Sequence, residues 1–128
     1  MAGKLVHFEV PAEDTKRAVG FYKDLFSWEF QEYPGPLEYH MTRTAEDQGG
    51  AVHDAAQGGG IPGIFPYFDV DDIRASAARV RELGGEAEEP GPVPQMGWYA
   101  RCKDTEGNPF GLWQNDPNAP TPEGMQGS

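Results

Sequence analysis

His7-Phe8-Glu9-Val10-Pro11-Ala12-Glu13-Asp14 and Phe65-Pro66-Tyr67-Phe68-Asp69-Val70-Asp71-Asp72 carry one pattern twice, 58 residues apart. Each opens as an alternating, β-rich run and closes on carboxylates that precede an amphipathic stretch. The same gap-free offset sets Leu25 on Leu83, and Glu46-Asp47-Gln48-Gly49-Gly50-Ala51-Val52 on Asp104-Thr105-Glu106-Gly107-Asn108-Pro109-Phe110. Two acid-rich turns closing on Gly49 and Gly107, each followed by apolar residues, mark the chain as an internal duplication.

Working outward, each half reads as strand, helix, then three strands. Asp14 starts the first helix, whose apolar stripe is Ala18, Val19, Tyr22, Leu25 and Phe26; Asp71 or Asp72 starts the second, with Ile73, Ala77, Val80 and Leu83. Gly84-Gly85 predicts a left-handed cap. The later strands fall near 28–33, 37–43 and 50–54 in one half and 86–88, 97–103 and 108–114 in the other. The expectation is an α+β chain of two βαβββ modules, about 4–55 and 63–114, joined by a glycine-rich linker at 56–62 and followed by a disordered tail at 115–128.

Strand parity sorts the side chains. Phe8, Val10, Phe68, Val70, Phe110 and Leu112 are expected under the helices. The opposite face takes Leu5, His7 and Glu9 from one half, and Phe65, Tyr67, Asp69, Gly111 and Trp113 from the other. If the half-sheets curl around that face, it forms an aromatic-lined cleft with a few polar groups, the usual composition of a small-molecule site.

Composition narrows the function classes. Ten basic against 21 acidic residues give a net charge of −11, which argues against nucleic acid and anionic membrane surfaces as partners. No apolar run approaches the roughly 20 residues of a membrane span, and residues 1–7 lack the apolar core of a signal peptide. The single cysteine, Cys102, excludes an internal disulfide and a cysteine zinc cluster. The default expectation is a cytoplasmic protein. Gly58-Gly59-Gly60 is no phosphate loop, because no Lys-Ser/Thr follows it.

The frame His7-Phe8-Glu9-Val10 with Arg17 and Phe21-Tyr22, together with Phe68-Asp69-Val70-Asp71-Asp72, Leu83-Gly84-Gly85 and Asp104-Thr105-Glu106-Gly107-Asn108-Pro109-Phe110-Gly111-Leu112-Trp113, resembles the vicinal oxygen chelate superfamily. That superfamily holds glyoxalases, extradiol dioxygenases and bleomycin-resistance proteins. The likeness runs from about Val6 to Gln114 and implies a curved half-barrel sheet, often in a homodimer. Its metal-using members place ligands on the first and last strand of each module, which here implies His7, His53, Phe65 and Gly111; His53 follows His7 by 46 residues and Gly111 follows Phe65 by 46. A phenyl ring and a hydrogen atom cannot coordinate, so no cofactor is favoured. The alternative is a divalent metal (Fe, Zn, Ni or Mn) held by His7, Glu9 and His53, since such sites need about three protein ligands.

The expected function is metal-independent binding of a small aromatic or apolar molecule, of the sequestration or resistance type. Its expected lining is His7, Glu9, His53, Phe65, Tyr67, Trp98, Gly111 and Trp113, with Trp98 as a cap after the flexible Met96-Gly97. A carboxylate on an apolar wall is costly unless hydrated, paired or bound to a donor, so Glu9 either pairs with Arg43 or Arg101 or fixes a ligand. The alternative is a lyase, isomerase or epimerase-like enzyme with His7 or Glu9 as general base, or a dioxygenase if the three-ligand site forms. Cys102 reads as an inert thiol.

Overall fold

A computed structural model describes residues 3–33, 38–57 and 63–121. It divides into two compact units, Leu5–Pro66 and Tyr67 onward with Gly3 and Lys4. Both follow the strand–helix–strands plan, so the α+β class and the two modules stand as expected.

The first unit holds β1 (Lys4–Ala12), α1 (Thr15–Phe26), β2 (Phe30–Glu32), β3 (Tyr39–Ala45) and β4 (Gln48–Asp54). Its strands run in the order β2-β3-β4-β1, with β4 parallel to β1 and antiparallel to β3. Asp14 caps α1, its carboxylate accepting from the Arg17 amide at 3.0 Å. Ser27 ends the helix in the left-handed region at φ 62°. Phe8 packs 5.7 Å from Trp28, which stacks 5.5 Å from Tyr22 of α1, so Phe8 faces the helix as parity requires. Gly50 is obligatory beneath that ring: a Cβ there would lie 2.3 Å from Phe8.

The second unit holds β5 (Phe65–Asp69), α2 (Ile73–Glu82), β6 (Glu86–Ala87), β7 (Gly91–Val93), β8 (Gly97–Lys103) and β9 (Pro109–Asn115); β5 starts two residues ahead of the unit boundary. The order is β5-β9-β8-β6, with β7 also paired to β8. Of the two candidate caps, Asp72 is the one used, accepting from the Ala75 amide at 3.1 Å. Gly84 closes α2 at φ +95° while the Gly85 amide donates to the Val80 carbonyl at 2.9 Å, the left-handed cap expected there. Val70, Ile73, Ala77, Ala100, Cys102 and Leu112 form a continuous core beneath α2. Burial pushes the Cys102 thiol up to about 11, consistent with an inert residue.

Two expectations are corrected. The gap-free repeat holds only through the helices. Glu9 pairs with Ala51 and Tyr67 with Gly111, while Tyr39 pairs with His53 and Tyr99 with Trp113. The offset is therefore 58 residues at the first strand and 60 in the closing hairpin, the second module being two residues longer between α2 and β8. Gly111 thus corresponds to Ala51, and His53 to Trp113. The expected tail, 115–128, is also partly structured: Asn115 ends β9, the Asp116 amide donates to the Met96 carbonyl at 2.9 Å, and Ala119 is buried. The rest of it, from residue 122, lies outside the described residues, as does most of the linker (58–62).

Candidate functional site

Strand alternation brings His7 and Glu9 of β1, Tyr39 of β3 and His53 of β4 to one face of the first module. Tyr39 joins three of them. Its hydroxyl donates to Glu9 Oε2 at 2.9 Å and lies 3.0 Å from His7 Nε2, with His7 Nε2 3.7 Å from Glu9 Oε2. Since a phenol has one proton and Glu9 takes it, the bond to His7 runs from the ring N–H to the phenol oxygen. His53 stacks on Tyr39, with centroids 6.4 Å apart and planes 18° off parallel. Its Nδ1 donates to the Asp54 carbonyl at 3.1 Å, which leaves Nε2 to carry the lone pair in the neutral ring. That Nε2 is shut off from solvent with no hydrogen-bond partner among the described residues.

Glu9 is mostly buried, and burial works to raise its pKa. The His7 ring nitrogen 3.7 Å away, the hydrogen bond from Tyr39 and the nearby His53 ring outweigh that cost and hold the carboxyl below its ordinary value of 4.5. Glu9 is therefore an ionised, oriented acceptor near neutral pH. Its partners are a phenol and an imidazole rather than the expected Arg43 or Arg101. His40, on the other side of the sheet, meets Glu38 at 3.6 Å, and Glu38 accepts from Thr15 of α1 at 2.6 Å. A shallow groove lined by Val10, Arg17, Phe21 and Tyr22 also lies on that helix side, away from His7 and Glu9.

The second module presents different chemistry. Tyr67 faces the same way as Gly111, and Trp113 the same way as Tyr99, with Arg101 opposite Gly111. Phe65, at the start of β5, is buried at 2 % exposure. Trp113 donates from Nε1 to Asn115 at 2.8 Å, and its ring spans Gly97, where a Cβ would come within 2.6 Å of it. Trp98 does not belong to this face. It shares parity with Ala100 and Cys102, packs against the α2 core, donates to Asp116 at 2.9 Å and lies under Arg74 at 5.7 Å. The expected cap is a core residue, because β8 is regular from Gly97 and alternation puts Trp98 on the helix side.

The residue that reading the sequence missed is Tyr39. A gap of two would have exposed it, since Tyr39-His40-Met41-Thr42-Arg43 then falls on Tyr99-Ala100-Arg101-Cys102-Lys103.

With this geometry in place, comparison with known proteins is decisive at family level. Residues 4–112 match the Glyoxalase/Bleomycin resistance protein/Dioxygenase superfamily. The chain belongs to that superfamily. A glyoxylase-like domain-containing protein from Didymella fabae is 33 % identical over 120 residues, covering 83 % of this chain and 89 % of the relative. Among solved structures, a hypothetical protein from Bacillus halodurans C-125 superposes with TM-score 0.72 at 17 % identity, covering 93 % of this chain and 99 % of the other. Methylmalonyl-CoA epimerase from Mycobacterium tuberculosis gives TM-score 0.69 at 16 % identity, covering 89 % of each chain. These likenesses show a shared fold.

The superfamily's metal chemistry can be tested against the donors this member carries. Phe65 and Gly111 bring no donor to two of the four places, and the two-residue shift means that Gly111 does not stand where His53 does. The alternative set is not assembled either. Tyr39 stands between His7 and Glu9, and among the described residues no three His, Cys, Asp or Glu side chains are grouped to hold an ion. A metal centre does not fit these residues. No helix among the described residues is long and apolar enough to cross a membrane.

Proposed function

We propose that this superfamily member binds a small aromatic or apolar molecule bearing an O–H or N–H donor, without a metal, and that the first module's Glu9 is the acceptor. One observation carries the reading: Glu9 is held ionised by Tyr39 and His7. A carboxylate already oriented loses little freedom when it accepts a ligand's proton donor, and the flanking rings supply apolar contact. The same shift argues against Glu9 as general base in a lyase or isomerase. Such a base works best with its pKa near the working pH, and Glu9 is displaced the other way. His7 is committed through Nε2 to Tyr39.

Ligand-observed NMR with phenol and its methyl ether anisole tests this. The wild type is expected to bind phenol roughly tenfold tighter than anisole, the difference a hydrogen bond to a charged group supplies. Glu9→Gln is expected to shrink that preference. Equal binding of the two probes, or none of either, refutes the proposal. Elemental analysis of protein purified without chelator checks metal independence, which stoichiometric iron, zinc, nickel or manganese would overturn.

A further inference from the structure

The second module carries a polar group of its own. Arg101, in the middle of β8, is half-buried; its Nε is closed to solvent and has no hydrogen-bond partner among the described residues. None of its guanidinium nitrogens pairs with a carboxylate there either. That is unusual in a chain with 21 acidic residues. A donor closed to water and left without an acceptor costs free energy that a suitable acceptor would recover, and here that donor is Nε.

The surroundings define what would satisfy it. Arg101 lies opposite Gly111, which leaves the sheet beside the guanidinium without a side chain. Two residues along β8 is Tyr99, opposite Trp113, and across Gly111 is Tyr67 on β5. Three aromatic rings thus share the face with one cation. Two carboxylates come near in register. Asp69 pairs with Trp113 on β5, and the Glu88 amide donates to the Arg101 carbonyl at 2.9 Å while its side chain remains exposed. Neither forms an ion pair with Arg101. Arginine's planar fork matches a carboxylate bidentately, through Nε and one terminal nitrogen.

We infer that the Arg101 face of the second module is a binding site for a planar aromatic carboxylate, whose carboxylate takes the guanidinium and whose ring lies among Tyr67, Tyr99 and Trp113. The reading is independent of Glu9, which selects for a donor in the other module. It also runs against the overall field of a chain with net charge −11, so affinity rests on the local pair rather than on long-range attraction.

The experiment is a benzoate titration of ¹⁵N-labelled full-length protein, following the Arg Nε–Hε resonances. A saturable shift of the Arg101 resonance is expected, with benzamide, the neutral isostere, binding at least tenfold more weakly. Arg101→Met is expected to abolish benzoate binding, and Arg101→Lys, which keeps the charge but not the fork, to weaken it severalfold. The wild-type titration decides the matter even if Arg101→Met fails to fold. No benzoate-dependent shift, equal binding of benzamide, or undiminished binding by Arg101→Lys overturns the inference. So does a shift of the same resonance on Glu88→Gln alone, which would make Glu88 the guanidinium's resident partner.

Discussion

The two modules share a strand–helix–strands plan and an almost constant offset, yet they divide their chemistry differently. On α2, Ile73 and Ala77 are nearly inaccessible and join a continuous core with Leu112 and Cys102. Only Thr15 of α1 is buried, while Phe21, Leu25 and Phe26 are each more than half exposed. The opposite faces differ too. The first module gives this face a phenol, a carboxylate and two imidazoles; the second gives it aromatic rings and one arginine without a carboxylate partner among the described residues. Equivalent places carry Glu9 and Tyr67, Tyr39 and Tyr99, His53 and Trp113. The fold therefore sets where a side chain faces and leaves its chemistry free.

The sharpest way to break this contrast is through the helices. Ile73→Ala is expected to cost about 2–5 kcal/mol, the range for truncating a large residue in a packed core. Leu25→Ala, at 57 % exposure, is expected to stay within about 0.5 kcal/mol. Urea denaturation measures both. Equal costs would mean that α1 is as well covered as α2.

The tyrosine pair comes next. Tyr39→Phe removes the proton donor to a buried carboxylate and is expected to cost about 1–3 kcal/mol. Tyr99→Phe, at the matching position, removes a hydroxyl with no hydrogen bond among the described residues and is expected to be near neutral. Comparable losses would show that Tyr39 does not organise its face.

The smallest effect is in acid. A carboxyl whose pKa is depressed on folding contributes stability that is complete above its unfolded value and lost as the pH falls through the folded one. Wild-type stability is therefore expected to fall as the pH drops below about 4.5, with Glu9→Gln falling less steeply. Glu38, Asp104 and Asp116 are lowered as well, so the difference between the two proteins is the informative quantity. Parallel curves would remove Glu9 from the account.

Much of this was legible in the residues. The duplication, the Asp14 cap, the left-handed glycine after α2 and the two-sided sorting of β1, β5 and β9 follow from periodicity, capping and turn chemistry, all local effects, whereas the second cap is narrowed only to Asp71 or Asp72. The closing hairpin did not follow. A gap-free alignment hides a two-residue insertion, and with it the kinship of Tyr39 and Tyr99. Trp98 was misplaced for a different reason. Its approach through Met96-Gly97 suggested a flexible cap, whereas its side was already fixed by Ala100 and Cys102 on the same strand. Hydrogen-bond partners lay furthest out of reach, because Tyr39 meets Glu9 and His7 only through register between strands about thirty residues apart in sequence.

The extra length before β8 comes to two residues, and its place matters more than its size. It falls ahead of the strand, among the turns around the short β6 and β7, so β8 keeps the pairing with β9 that sets Tyr99 and Arg101 on one side and Ala100 and Cys102 on the other. The duplicated copy could therefore lengthen without exchanging its interior for its wall. Growth of either parity should accordingly be tolerated at that crossover, whereas a single residue added inside β8 would turn over everything beyond it unless a bulge absorbed it.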